Sequence, residues 1–231
     1  MTHYGLPYQG SKSKIAMWVL RNLPAADALV DLFAGGCAIT HGALLTGRYR
    51  RIIANDITDS VRLFADAIAG KYADETRWIS RDEFFAHKDT DPYVRLIWSF
   101  GNNQRIDLEH LERLERLQRL QRLQHLQRLQ YLKVSVSDYR DVSIPEGAVI
   151  YCDIPYRATS GYTASFDHVA FYEWAQMQTQ PVYISEYDMP PPFVCVAAKE
   201  RISTASPDNR ARYTEKIFTL PEWANNQNKL F

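Results

Sequence analysis

The chain holds 231 residues, 46% of them hydrophobic, enough to bury the core of one good-sized domain or of a domain with an insertion. Lysine plus arginine equals aspartate plus glutamate at 27 each, which excludes a globally basic nucleic-acid binder but leaves a local basic face open. No stretch reaches the roughly 18 consecutive apolar residues of a membrane span, and Met1-Thr2-His3-Tyr4-Gly5 lacks the basic-then-apolar build of a secretory signal, so a cytoplasmic protein is expected.

The first feature in chain order is Tyr8-Gln9-Gly10-Ser11-Lys12, followed by helical patterning from Lys14 to Asn22. The pentapeptide precedes the first strand and is no nucleotide-phosphate loop. It either offers amides and a cation to a carboxylate or is a plain loop with a surface lysine. A strand is expected over Ala28 to Phe33, then Ala34-Gly35-Gly36, then a helix from Ile39 to Leu45. Glycines there let a ligand approach the backbone closely, and the helix N-terminus can receive its negative end. A second strand, Arg51 to Ala54, leads to Asn55-Asp56-Ile57 and a helix from Asp59 to Ala69. Asp56 stands 25 residues beyond Asp31, at the strand end where a dinucleotide-type fold accepts ribose hydroxyls.

The next stretch is less regular. Ser99-Phe100-Gly101-Asn102-Asn103-Gln104-Arg105 combines a glycine turn with amides and an arginine suited to base edges, or is a turn held by its own asparagines. Leucine then recurs at every third position from Leu108 to Leu132. At 100° per residue this period winds the leucines around a helix instead of keeping them on one face, so short broken helices are expected and a coiled coil is not. Its arginines either contact phosphates or form a solvated face.

Strand patterning resumes over Leu132 to Val136 and Val149 to Cys152, a helix is expected over Asp167 to Gln178, and strands over Pro181 to Ile184, Phe193 to Ala197 and Lys216 to Thr219. This alternation predicts a doubly wound α/β fold with Asp31, Asp56 and Asp153 along the carboxyl edge of the sheet. Asp153-Ile154-Pro155-Tyr156 joins a hydrogen-bond acceptor to an aromatic face at a strand end, which can grip an amino-bearing nucleobase; a strand that simply ends in a turn has the same composition. Cys37, Cys152 and Cys195 and the six histidines lack ligand spacing, so no metal is expected.

Taken together, Tyr8 to Lys12, Asp31 to Gly36, Asn55-Asp56-Ile57, Asp138-Tyr139 and Asp153 to Tyr156 resemble, in order, the motifs of the Dam-like DNA adenine-N6 methyltransferases, particularly compact phage-type members. The resemblance continues through Ser165 to His168, Ile184 to Tyr187 and Glu215 to Phe218. It implies a Rossmann-like methyltransferase fold with a mostly parallel seven-stranded sheet, a catalytic domain over 1–57 and 134–231, and a target-recognition insertion over 58–133.

It also implies S-adenosylmethionine as methyl donor, S-adenosylhomocysteine as product, and double-stranded DNA as partner of a monomer, with a dimer left open. Tyr8, Gly10, Ser11 and Lys12 match the segment that closes over the methionine end, and Asp31, Phe33, Gly35 and Gly36 match the loop around it. Asp56 would accept the ribose hydroxyls, Ile57 would pack on the adenine, and Asp138 with Tyr139 would receive the cofactor's exocyclic amine. A flipped adenine would stack on Tyr156 and donate to the Asp153 carboxylate and the Ile154 carbonyl, with Pro155 stiffening the turn. Asn102, Asn103 and Arg105, with Tyr162 on a later loop, are the expected DNA contacts.

Two residues depart from the family pattern: Cys37 replaces a third glycine, and Ile154 replaces the first proline of the tetrapeptide. These departures keep open a noncatalytic binding module of the same fold. Within the enzyme class, RNA adenine, cytosine N4 or a protein glutamine are alternative methyl acceptors.

Overall fold

Ala28, Leu29, Val30 and Asp31 have almost no exposed surface, so the strand they form must be covered on both faces. The computed structural model of the protein, which describes residues 3–8, 10–98, 118, 129–156, 166–202 and 212–227, supplies that cover. Seven strands form one sheet: β1 (Ala28–Asp31), β2 (Arg51–Asp56), β3 (Leu132–Val136), β4 (Ala148–Cys152), β5 (Val182–Glu186), β6 (Val194–Ile202) and β7 (Arg212–Thr219). Their order is β3-β2-β1-β4-β5-β7-β6. The first five run parallel, and β7 lies antiparallel to both β5 and β6. This is the seven-stranded, mostly parallel α/β sheet expected from the sequence.

The described helices are α1 (Ala16–Arg21), α2 (Ala38–Thr46), α3 (Ser60–Ile68), α4 (Arg81–His87), α5 (Pro92–Trp98) and α6 (His168–Gln176). The period of two along each strand sorts apolar side chains into two layers. Leu29, Ile52, Val149, Tyr151 and Tyr183 join Val19, Leu44, Phe64 and Ile97 of the helices on one face. Val30, Ile150, Cys152 and Ile184 meet Phe171, Tyr172 and Ala175 of α6 on the other. α3 and α5 lie within segment 58–133 yet share the first layer with the central strands.

Strands β1 to β5 fall within two residues of their expected positions. β6 and β7 extend well beyond their apolar runs, because their outer parts pair in an antiparallel ladder that includes Lys199, Glu200 and Arg201. Polar side chains suit an outer ladder, so the hydrophobic signal stops before the hydrogen bonds do. Cys37 and Cys152 are buried, whereas Cys195 on β6 is exposed. Asn102, Asn103, Arg105, Tyr162 and nearly all of the leucine repeat lie outside the described residues. Among those described, no helix is long and apolar enough to cross a membrane, and no cluster of His, Cys, Asp and Glu could hold a metal.

The N-terminal segment straps onto the loop after β1. Leu6 N–H donates to Gly36 O at 2.6 Å, and Gly5 N–H donates to His41 Nδ1 at 2.8 Å. A Cβ on Gly36 would stand 2.5 Å from Tyr8 Cβ and 2.9 Å from Leu6 O, so only glycine lets the strap close. Gly36→Ala is therefore expected to lower unfolding stability by about 1–3 kcal/mol, the usual cost of overpacking. Urea denaturation tests this, and a change within about 0.5 kcal/mol, typical of an unconstrained surface site, would contradict it.

Candidate active site

The strand order reverses between β1 and β4, and the chain leaves these neighbours toward opposite faces, α2 following β1 and α6 following β4. A crevice opens where such connections diverge, at the carboxyl ends of the strands. Asp31 ends β1, Asp56 ends β2, and Asp153 directly follows β4. The three carboxylates expected at one edge are there.

Asp31 is held by the first turn of α2. Its Oδ2 accepts from Thr40 N–H at 3.0 Å and from the Thr40 hydroxyl at 2.6 Å, while its buried Oδ1 has no hydrogen-bond partner among the described residues. Burial pushes the carboxyl up to about 7; the Thr40 hydrogen bonds oppose this, and the nearby Asp153 and Asp56 charges add to it. Asp56 shapes the loop instead of standing apart from it. Its Oδ2 accepts from Gly35 N–H at 2.8 Å and its Oδ1 from Thr58 N–H at 2.9 Å and the Thr58 hydroxyl at 2.8 Å, while the Ser60 hydroxyl donates to Gly35 O at 2.6 Å.

The space over Gly35 and Gly36 is taken by Tyr8 of the same chain, whose ring lies 3.0 Å from a Cβ built on Gly35. At the third glycine position, Cys37 adopts φ 59°, a left-handed conformation in which an ordinary side chain is strained. The Cys37 side chain is fully buried.

Asn55 ties three strand ends together: its amide N donates to Leu32 O and Ser137 O, both at 3.1 Å, and its Oδ1 accepts from the Ser135 and Ser137 hydroxyls. Asp138, just beyond β3, caps the following 3-10 turn and takes a bidentate contact from Arg140 that holds its carboxyl below the usual range. Tyr139 packs among Phe33, Phe166 and Trp174, with ring centroids 5.4, 6.2 and 5.1 Å away. Ile57, beside Asp56, is an apolar side chain that is 72% exposed.

The tetrapeptide sits in a buried charge cluster. Ser11 accepts from Ser13 N–H and starts the 3-10 turn Lys12–Lys14, which turns Lys12 inward. Lys12 Nζ lies 2.8 Å from Asp153 Oδ1, 3.3 Å from Glu215 Oε1 and 4.6 Å from the centre of the Tyr156 ring. Burial alone would lower the Lys12 pKa, but Asp153 and Glu215 outweigh it and raise it. Burial pushes Asp153 up to about 6, against the opposing pull of Lys12. The Tyr156 hydroxyl donates to Glu215 Oε1, and its ring meets Tyr187 edge-on at 4.7 Å.

Ile154 turns its side chain into the second core layer, where it is 2% exposed, so only its backbone is available to the crevice. His168 braces the turn, with Nε2 2.8 Å from Pro155 O and Nδ1 3.1 Å from Phe166 O.

The structure thus brings Tyr8, Lys12, Asp31, Gly35, Gly36, Asp56 and Asp153 to Tyr156 to one crevice, with Phe33 and Tyr139 in the aromatic cluster beside Asp138. Sequence reading assigned no role to Thr40, Asn55, His168 or Glu215. Glu215 left two signals: it opens the stretch Glu215 to Phe218 that shares the resemblance, and it stands two residues before buried Ile217, so the period of two puts a carboxylate in a buried phase of β7.

Residues 8–107 match the D12 class N6 adenine-specific DNA methyltransferase family. The match takes in Tyr8 to Lys12, the glycine loop and Asp56, and stops before Asp138 and the tetrapeptide. It bears out the resemblance to Dam-like enzymes and supports methyltransferase activity. No curated protein matches the sequence.

Among solved structures, the chain is similar to the rRNA methyltransferase AviRa from Streptomyces viridochromogenes, with 16% identity, 98% of this chain and 90% of that one covered, and a TM-score of 0.48. It is also similar to a putative RNA methyltransferase from Pyrococcus horikoshii, with 13% identity, 92% and 86% covered, and a TM-score of 0.46.

The raised Asp31 carboxyl sets a pH dependence. An acid whose folded pKa of about 7 exceeds its ordinary 3.8 adds stability that is fully present below about pH 4 and lost as pH rises through 7. In Asp31→Asn, the fall of unfolding free energy between pH 4 and 7 is expected to flatten by up to about 1.4 kcal/mol per pH unit, the limit for one proton. Parallel urea titrations of both proteins across that range check this, and identical slopes would exclude it.

Proposed function

We propose that the chain transfers a methyl group from S-adenosylmethionine to N6 of an adenine flipped out of duplex DNA. The observation that carries this reading is the arrangement of Asp153, the Ile154 backbone and the Tyr156 ring at the end of β4, in the same crevice as Asp31 and Asp56. Region 58–133, with Asn102, Asn103 and Arg105, and the loop bearing Tyr162 would contact the DNA.

The residues present fit the cofactor. The Oδ1 of Asp31, without a hydrogen-bond partner among the described residues, suits the cationic amine of its methionine end, because a cation there relieves a buried carboxylate that burial alone disfavours. Asp56 retains acceptor capacity for ribose hydroxyls beyond the three hydrogen bonds it accepts within the chain. Exposed Ile57 offers an apolar face to the adenine ring. When bound, S-adenosylmethionine supplies a sulfonium methyl group that an amine attacks directly.

The protein's own work is to hold the acceptor amine and receive its proton. Adenine's amine lone pair is delocalised into the ring, and two acceptors in line with its hydrogens draw it toward a nucleophilic geometry. Asp153 Oδ and the Ile154 carbonyl are those acceptors, and Tyr156 holds the ring by stacking. A carboxyl near 6 is ionised at neutral pH, and it takes the proton once the methylated nitrogen carries positive charge. His168, hydrogen-bonded to Pro155 O, keeps the turn in place.

Labelled S-adenosylmethionine offered to duplex DNA, RNA and protein tests the assignment; label in adenine of DNA is expected, and label only in protein would sink it. Asp153→Asn is expected to lower transfer by on the order of 100-fold or more, the cost of losing one charge-stabilising contact. Ile154→Pro keeps the carbonyl, so transfer should persist, while loss of a buried branched side chain lowers unfolding stability by about 1–3 kcal/mol.

A further inference from the structure

Lys12 is the chain's own occupant of the position that the proposed mechanism gives to the base. Its ammonium lies 2.8 Å from Asp153 Oδ1 and 4.6 Å over the Tyr156 ring, the two features that would receive an adenine amine and an adenine ring. A flipped base and this ammonium compete for one acceptor and one aromatic face. A lysine that is 6% exposed does not leave such a site without another anion, since an unpaired buried charge is costly. One is already in place: Glu215 Oε1 stands 3.3 Å from the same nitrogen, and Glu215 is itself 2% exposed. The same oxygen accepts the Tyr156 hydroxyl.

We propose that Glu215 is a positioning residue of the methyl-transfer site, fixing the Tyr156 ring through its phenol and retaining the Lys12 ammonium when the base amine takes Asp153. This rests on the methyl-transfer reading and adds an exchange to it. The ammonium moves from two anions to one and stays protonated throughout. Without the Glu215 charge, Lys12 binds Asp153 alone and contends with every incoming base.

The exchange has an electrostatic signature. The groups facing Asp153 are Lys12 from the first 3-10 turn, Glu215 from β7, Tyr151 and Cys152 from β4, Asp31 from β1 and Tyr156 of its own turn. After burial, Glu215 is the charge that raises Asp153, while Lys12 lowers it. Glu215→Gln removes a raising charge and leaves the lowering one undivided. The acidic limb of kcat/KM, where Asp153 loses its charge, should therefore move to lower pH.

Steady-state methyl transfer to duplex DNA by wild type and Glu215→Gln, measured from pH 5 to 8, tests this. A fall in kcat of about tenfold or more is expected, the scale of a lost interaction that matters mainly beyond cofactor binding, with KM for S-adenosylmethionine within about twofold. The acidic limb should lie at lower pH than in wild type. Wild-type kcat with an unmoved limb would overturn the role of Glu215 alone, whereas no transfer by the wild type would overturn the function and this role together. Thermal unfolding and calorimetric cofactor binding establish that the variant is folded.

Tyr156→Phe approaches the same contact from the other side, deleting the O–H that Glu215 accepts and that also interacts with Asp153. Its kcat should fall by about three- to tenfold, as for loss of one orienting hydrogen bond, and an unchanged kcat would overturn the positioning of the ring.

Discussion

One buried cation joins the parts of this molecule that matter for chemistry. Lys12 belongs to the N-terminal strap, Asp153 to the end of β4 and Glu215 to an antiparallel strand two positions away in the sheet order. Asp153 and Glu215 repel one another, and both carboxylates are tolerable at this depth because the Lys12 ammonium stands 2.8 and 3.3 Å away. The ion cluster is therefore also a geometric specification. The strap must close, the first turn must point inward and β7 must sit beside β5 for any of them to be satisfied.

The sheet makes this closure possible by separating its duties. Its two apolar layers bury β1, β4 and β5 so completely that the strand ends are rigidly placed, and the polar groups beyond those ends bind one another across the crevice. Asn55 links three strand ends through one side chain. Asp56 pins the loop whose glycines admit Tyr8. The crevice is thus built mainly from contacts between residues far apart in sequence, each satisfying a donor or acceptor that would be costly to bury unmade.

That construction explains what could be read from the sequence. The strands β1 to β5 and the four helices expected beside them were legible, because buried runs and helical periodicity are local signals. The strand-end carboxylates were legible as well, since a strand end and an acidic residue adjoin in sequence. The partner of Lys12 was not: Glu215 is 203 positions away, and its inward phase appears only when β7 is known to begin before its apolar run. Glycines 35 and 36 were recognised as sites of close approach. What approaches them in the structure is Tyr8, an identity that neighbouring residues do not encode. The side chain of Ile154 illustrates the converse. A departure from the family pattern looked consequential in a string of four letters, and its burial shows why the position tolerates a bulky apolar residue.

The burial of two of the three cysteines has a practical side. Cys37 and Cys152 lie under the crevice, and burial raises both thiols well above their ordinary range, so neither presents a thiolate to solvent. Cys195 is exposed on the outer strand β6. An alkylating dye therefore finds a single address on the folded protein, at the edge of the sheet, and a fluorophore placed there can report on binding without engineering any cysteine out of the chain.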